Sequence, residues 1–402
     1  MEQTLILTGA QAAAEAARLS RVQVVAAYPI TPQSKIPETL SGYVERGELK
    51  AEFVRVESEH SAMGVCIAAS IAGARAFTAT SANGLAYMHE QLHWAAGARV
   101  PIVMPVANRG VGAPWTILND CQDTISQRDT GWMQFYCMNN QEVLDLVLVA
   151  FKAAEKLLIP CMVCFDGFLL SHTYMPVVMP DGREVDSFLP SYVPFHRLDP
   201  ENPVNINPVI VNSPLPDPDG VLSPGYMGIR FRLQQSLEEA LPVIRETGRE
   251  FGELFGRSYE DPLFRYRTED ADFVFVAMGS VVGEASIAAD ALREEGVKAG
   301  VLGVRVYRPF PAAALSEALM GRRAVAVLEK AISYGYEGAL MSELKAALYG
   351  KSGPAPVLSN YIVSLGGKDV AAPDLIEAAR QSILAAQHGC PPDRAQWIGF
   401  PS

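Results

Sequence analysis

Three stretches of this chain place acid–base and anion-binding groups close together. Tyr28-Pro29-Ile30-Thr31-Pro32-Gln33 offers a hydroxyl. Arg55-Val56-Glu57-Ser58-Glu59-His60-Ser61 offers two carboxylates and an imidazole. Asn108-Arg109, followed by Asn119-Asp120-Cys121-Gln122-Asp123 and Arg128-Asp129-Thr130-Gly131-Trp132, offers guanidinium groups and further carboxylates. A guanidinium can hold a carboxylate through two parallel N–H bonds and stays charged at any working pH. A positioned carboxylate can take or hold a proton. Each group alone also has a plain structural reading. Pro29 and Pro32 suit turns, Glu59 suits the first turn of a helix, and Arg109 could pair with Asp120 or Asp123.

Other patterns are weaker. His89-Glu90-Gln91-Leu92-His93 matches H-E-x-x-H, which can present two imidazoles to zinc. No third ligand stands nearby in the chain, so a helix with two polar side chains is the simpler reading and no metal ligand is assigned. Cys161 and Cys164 form a C-x-x-C pair, but inside an apolar run. A redox pair sits at a helix N-terminus, whereas strand residues three apart point to opposite faces. Cys66, Cys121, Cys137 and Cys390 are scattered and lack iron–sulfur spacing. No G-x-x-x-x-G-K-[ST] or G-x-G-x-x-G is present. Gly279-Ser280 could hold an anion at a helix start, although a tight turn is favoured.

The elements that must position these groups read as alternating strands and helices. Apolar strands are expected at 22–27, 53–56, 76–80, 101–106 and 161–165, with helices at 60–74, 85–96 and 141–156. Near-continuous apolar strands separated by helices indicate an α/β fold with a parallel sheet covered on both faces. All three chemical stretches fall at the carboxyl ends of such strands, where open α/β sheets bind ligands. From about 175 to 225 prolines are dense, which argues against regular helix or central strand and for a long extended connection. A helix is expected at 233–255. Alternation then resumes, with strands at 273–277, 299–306 and 324–328 and helices at 284–294, 312–319 and 340–348. The division expected is 1–174, a connection with its helix at 175–260, and a second α/β domain at 261–402.

Composition narrows the function classes. The 402 residues are 49% hydrophobic and 19% charged, a globular mixture. A formal charge of −12 disfavours nucleic acid and anionic membrane surfaces as partners. No run reaches the roughly 18 apolar residues of a spanning helix. Glu2 does not suit a signal peptide, and six cysteines are too few for a disulfide scaffold. The cytoplasm is the expected location.

Taken together, Y-P-I-T-P at 28–32, S-E-H-S-A at 58–62 and the N-R…N-D-x-Q-D…R-D-T-G-W run at 108–132 resemble the α subunit of the 2-oxoacid:ferredoxin oxidoreductase (pyruvate synthase) family. Val306-Tyr307-Arg308-Pro309-Phe310-Pro311 adds a likeness to a transketolase C-terminal domain. The resemblance covers essentially the whole chain. It implies a pyrimidine-type thiamine diphosphate-binding domain followed by a transketolase C-terminal-like domain. The family's activating glutamate falls on Glu59, with Glu57 the competing residue. A carboxylate at N1′ of the pyrimidine favours the 4′-imino tautomer, which can remove the thiazolium C2 proton. Thr31 and Arg109 match the residues that contact the 2-oxoacid, and Tyr28 and Pro29 the wall of the pyrimidine pocket. The reaction implied is oxidative decarboxylation, with the acyl group passing to coenzyme A. Electrons would leave through iron–sulfur clusters.

The chain has no G-D-G followed by asparagine, the usual magnesium–diphosphate motif. The resemblance therefore places the diphosphate, Mg2+ and the nearest cluster on a β subunit, with γ and ferredoxin-like subunits completing the complex. Pyruvate-handling relatives usually read N-R-A-[LI]-[SG]-[AG]-P and N-D-H-Q-D. Here Gly110, Gly112 and Cys121 stand at these positions. That difference raises a larger pocket for a branched or aryl 2-oxoacid such as phenylglyoxylate, with pyruvate leading. The alternatives are a zinc hydrolase using His89, Glu90 and His93, or a non-catalytic scaffold subunit.

Overall fold

A computed structural model of the chain describes residues 3–194 and 225–400. The rest of the proline-rich connection, 195–224, lies outside the described residues. The first half contains strands β1 (Gln3–Leu7), β2 (Val24–Ala27), β3 (Glu52–Arg55), β4 (Ala76–Phe77), β5 (Val103–Asn108), β6 (Met133–Tyr136), β7 (Cys161–Asp166) and β8 (Met175–Met179). The second contains β9 (Leu263–Tyr266), β10 (Phe273–Ala277), β11 (Ala299–Val304), β12 (Val306–Arg308), β13 (Ala324–Glu329), β14 (Val357–Ile362) and β15 (Gln396–Trp397).

The first main sheet has seven strands in the order β12-β6-β7-β5-β4-β2-β3. Its pairs are parallel, except that β12 runs antiparallel to β6. The second has six strands in the order β15-β14-β13-β10-β11-β9, parallel but for the edge strand β9. The expected α/β architecture is present, and the apolar strands are buried on both faces. In β7, Cys161, Val163 and Phe165 face one core, while Met162 and Cys164 face another. That second core also takes Val274 and Val276 of β10 and Leu302 and Val304 of β11. The two sheets therefore share an apolar layer.

Several elements differ from the sequence expectation. The strand expected at 299–306 is two strands in two sheets. The chain leaves the second sheet after Val304, turns at Arg305 and enters the first sheet as β12. Buried Arg305 fixes this turn by donating to Glu142 at 2.9 Å and to the Asp261 carbonyl at 2.9 Å. The expected helix at 85–96 is broken at Met88 into Ala82–Tyr87 and His89–Gly97. The expected helix at 233–255 is two, Gly225–Glu238 and Ala240–Phe255. The start of the supposed extended connection is ordered: β8 pairs antiparallel with β1, and the helix Gly182–Phe188 follows. Pro176 is tolerated because it lies in a two-stranded sheet, where one side of the strand needs no partner. Among the described residues no helix is long and apolar enough to cross a membrane.

Candidate active site

Four neighbouring strands, β5, β4, β2 and β3, end at one edge of the first sheet. Their parallel alignment gathers the segments after them. Beyond β3 the chain turns at Ser58, whose hydroxyl caps the helix Glu59–Ile71 by accepting from the Ser61 N–H at 3.2 Å. This cap separates the two carboxylates. Glu57 is outside and exposed, accepting from the Ser61 and Ser58 hydroxyls, and the Ser61 bond holds its carboxyl below the usual range. Glu59 turns inward and is 8% exposed. Among the described residues its carboxylate has no hydrogen-bond or ion-pair partner. It lies against the main chain of helix Ala82–Tyr87, where a Cβ on Gly84 would sit 2.6 Å from Oε1 of Glu59 and 2.6 Å from Oγ1 of Thr80. That threonine oxygen is buried and also unpartnered.

The segment after β2 is pinned by buried Gln33, whose Nε2 donates to the Ala79 carbonyl at 2.5 Å and to the Tyr28 carbonyl at 3.3 Å. Tyr28 is half-buried, while Pro29 and Thr31 are exposed. Arg109 follows β5 directly. It is 3% exposed, and its Nη1 donates to the Thr31 carbonyl at 2.5 Å. Its Nε is buried without a partner, and the exposed Trp115 ring lies 5.6 Å from its Cζ. Burial lowers its pKa. The structure thus brings Thr31 and Arg109 into contact, with Glu59 at the same sheet edge. The ion pair considered for Arg109 is not what forms. Asp123 instead accepts the Arg109 main-chain N–H at 3.1 Å.

Comparison with known proteins identifies the family of the chain. Residues 15–214 match the family described as pyruvate flavodoxin/ferredoxin oxidoreductase, thiamine diphosphate-binding. Residues 271–375 match pyruvate:ferredoxin oxidoreductase core domain II. The ketoisovalerate oxidoreductase subunit VorA of Pyrococcus abyssi is 46% identical over 98% of this chain and 96% of its own. The pyruvate synthase subunit PorA of Pyrococcus furiosus is 46% identical over 98% of this chain and 97% of its own. The chain belongs to the pyruvate:ferredoxin oxidoreductase family. It is a 2-oxoacid oxidoreductase subunit of the thiamine diphosphate-dependent type. At the level of fold, it superposes on a 2-oxoglutarate:ferredoxin oxidoreductase from Magnetococcus marinus with a TM-score of 0.71 at 19% identity. That match covers 94% of this chain and 65% of the other. A split-gene transketolase gives 0.51 at 16% identity, covering 94% and 96%.

Family membership decides against the zinc-hydrolase reading. His89 Nδ1 donates to Oε1 of Gln127 at 2.5 Å, and the two imidazoles meet edge to face at 5.0 Å. Burial and His89 hold His93 below the usual histidine range. Among the described residues no three His, Cys, Asp or Glu side chains gather as a metal cluster. Cys161 and Cys164 are buried on opposite faces of β7, and burial raises both thiol pKa values. The Gly279-Ser280 turn is filled from within. Asp166 accepts the Ser280 N–H at 2.9 Å and pairs with Lys330 at 2.7 Å.

The small residues suspected of enlarging the pocket each have a local reason in this family member. Gly110 lies under the Thr116 methyl, which a Cβ would approach to 2.5 Å. Gly112 has φ +81°, a left-handed conformation that favours glycine. Cys121 is buried in the shared core. Sequence reasoning missed Thr80 and Gly84, which line Glu59. Ser81-Ala82-Asn83-Gly84 stands at a strand's carboxyl end, the one signal that could have found them.

Proposed function

We propose that this chain supplies the aminopyrimidine side of the active site in a heteromeric 2-oxoacid:ferredoxin oxidoreductase. The inward-turned Glu59, 8% exposed and without a partner among the described residues, carries this reading. A carboxylate left without a protein partner can hydrogen-bond a ligand, and the space beside it, between the Gly84 main chain and the Thr80 hydroxyl, is one that a Cβ would fill. Thiamine diphosphate, when bound, supplies the carbon nucleophile and electron sink for decarboxylation. Glu59 holds a proton at N1′ of the pyrimidine, with Tyr28 and Pro29 at the ring's rim. Arg109 holds the carboxylate of the 2-oxoacid through its free N–H groups, and the Thr31 hydroxyl donates to the acid's oxygen atoms.

Residues 1–174 form the pyrimidine-type domain, 175–260 the connection with its helices, and 261–402 the transketolase C-terminal-like domain. A β subunit brings the diphosphate site, Mg2+ and the nearest iron–sulfur cluster, and γ and ferredoxin-like subunits complete the cytoplasmic complex. The acyl product leaves on coenzyme A. The Trp115 ring, 5.6 Å from the Arg109 guanidinium carbon, offers an apolar wall that suits a 2-oxoacid with an apolar substituent. Pyruvate leads, with branched and aryl 2-oxoacids such as phenylglyoxylate next.

The test is 2-oxoacid-dependent reduction of a viologen dye by the natively assembled complex. Glu59→Gln should lower kcat at least about 100-fold, the scale of a lost acid–base group, while Glu57→Gln stays within about threefold because its partners are surface hydroxyls. The reverse order would move the activating role to Glu57. Unchanged turnover in both variants would leave the chain a scaffold.

A further inference from the structure

Asp123, the last residue of the N-D-x-Q-D stretch, is 1% exposed and lies in the short helix Gln122–Ile125. Its two carboxylate oxygens accept from four N–H donors. Oδ2 takes the main-chain N–H of Ala82 at 3.0 Å and of Arg109 at 3.1 Å, and Oδ1 takes Asn108 Nδ2 and its neighbour Thr124 N–H, both at 2.7 Å. Two of these donors begin the functional segments. Arg109 starts the loop after β5, and Ala82 starts the helix whose Gly84 abuts Glu59. Ala82 has φ +42°, a strained conformation for a non-glycine residue. An N–H held by a buried carboxylate explains why the strain persists. The same two segments meet again where the Gly112 N–H donates to Oδ1 of Asn83 at 3.1 Å.

We propose that Asp123 is a positioning residue that locks the Arg109 loop to the helix lining Glu59, so that both bound molecules are held in one register. It touches neither substrate nor cofactor. The carboxylate fits this task better than an amide would, because all four partners are donors and an amide NH2 would face two of them. The guanidinium of Arg109 is steered indirectly, through its own main chain and its bond to Thr31. This proposal rests on the reading of Arg109 as the group that holds the 2-oxoacid.

The test is a double-mutant cycle in the assembled complex, with pyruvate and 2-oxoisovalerate as substrates. Asp123→Asn should raise KM about tenfold or more, as displacement of a binding group does. In an Arg109→Lys background, already impaired, the same substitution should change kcat/KM less than about threefold, because coupled residues are not additive. Asn108→Ala removes one of the four donors and should raise KM less, with the same dependence on Arg109. It also carries the test if Asp123→Asn does not assemble. An equal factor in both backgrounds, or an unchanged KM in Asp123→Asn, overturns the proposal and leaves the Arg109 reading intact. An unchanged KM in Arg109→Lys itself overturns both.

Discussion

At the scale of single residues, the geometry around Glu59 makes Gly84 a sharp probe. A methyl group there would lie within 2.6 Å of both the Glu59 carboxylate and the Thr80 hydroxyl, so those side chains must move. The helix itself would gain, since alanine is favoured over glycine by up to about 1 kcal/mol in a helix interior. Gly84→Ala should therefore lower turnover of the complex about tenfold or more through the displaced carboxylate while leaving its thermal midpoint nearly unchanged. Turnover at wild-type level would mean that the position of Glu59 is not critical. Which carboxylate faces inward was not legible from alternation, which would send Glu57 and Glu59 the same way. Strand geometry ends at Arg55, and the Ser58 cap re-aims the chain before Glu59. The likeness of S-E-H-S-A to its family pointed to Glu59 where periodicity did not.

At the scale of elements, strands with unbroken apolar runs were readable, and β10 lies at the expected positions because Phe273–Ala277 is buried on both faces. What escaped the sequence depends on tertiary partners, as in the turn at Arg305, which a distant Glu142 stabilises. The helix Ala339–Leu348 is a further case. Its N-terminus has no side-chain cap of its own. Instead Glu329, at the end of β13, accepts the N–H groups of Leu340 at 2.9 Å and Met341 at 3.0 Å, and Asn360 Nδ2 at 2.9 Å. Burial pushes this carboxyl up to about 7, against the lowering effect of those donors. The folded state thus binds the proton more tightly than the unfolded chain. The associated stability is present below the ordinary carboxyl pKa of about 4.5 and is lost as pH rises through about 7. Two and a half pH units correspond to about 3 kcal/mol. Glu329→Gln does not titrate, so relative to wild type it should be least stable near pH 5 and should regain ground by pH 8. Chemical denaturation at the two pH values measures this, and a pH-independent difference would refute it.

At the scale of the whole molecule, two sheets behave as one body because they share a core, exchange β12 and are pinned by a buried ion pair. Asp166 ends β7 in the first sheet, and Lys330 directly follows β13 in the second. Their side chains are 1% and 2% exposed, and Lys330 also donates to the Ser280 hydroxyl at 2.8 Å. The same Asp166 accepts the N–H of Ser280, which starts the helix Val281–Glu294. The pair therefore ties the carboxyl edge of the first sheet to the corresponding edge of the second. A buried pair of this kind contributes little net stability over an apolar replacement, but losing one partner strands a charge and costs about 3–5 kcal/mol. Lys330→Met should accordingly lower the denaturation midpoint strongly. Combining it with Asp166→Asn removes the stranded charge and keeps an acceptor for the Ser280 N–H, so the double variant should be more stable than Lys330→Met alone. Strictly additive losses would mean that the two residues act independently. If the pair registers the two sheets, the double variant should also lose turnover in the assembled complex even where its stability recovers, because the segments after β5 and β7 are hydrogen-bonded neighbours through the Gly167 N–H and the Asn108 carbonyl at 3.0 Å.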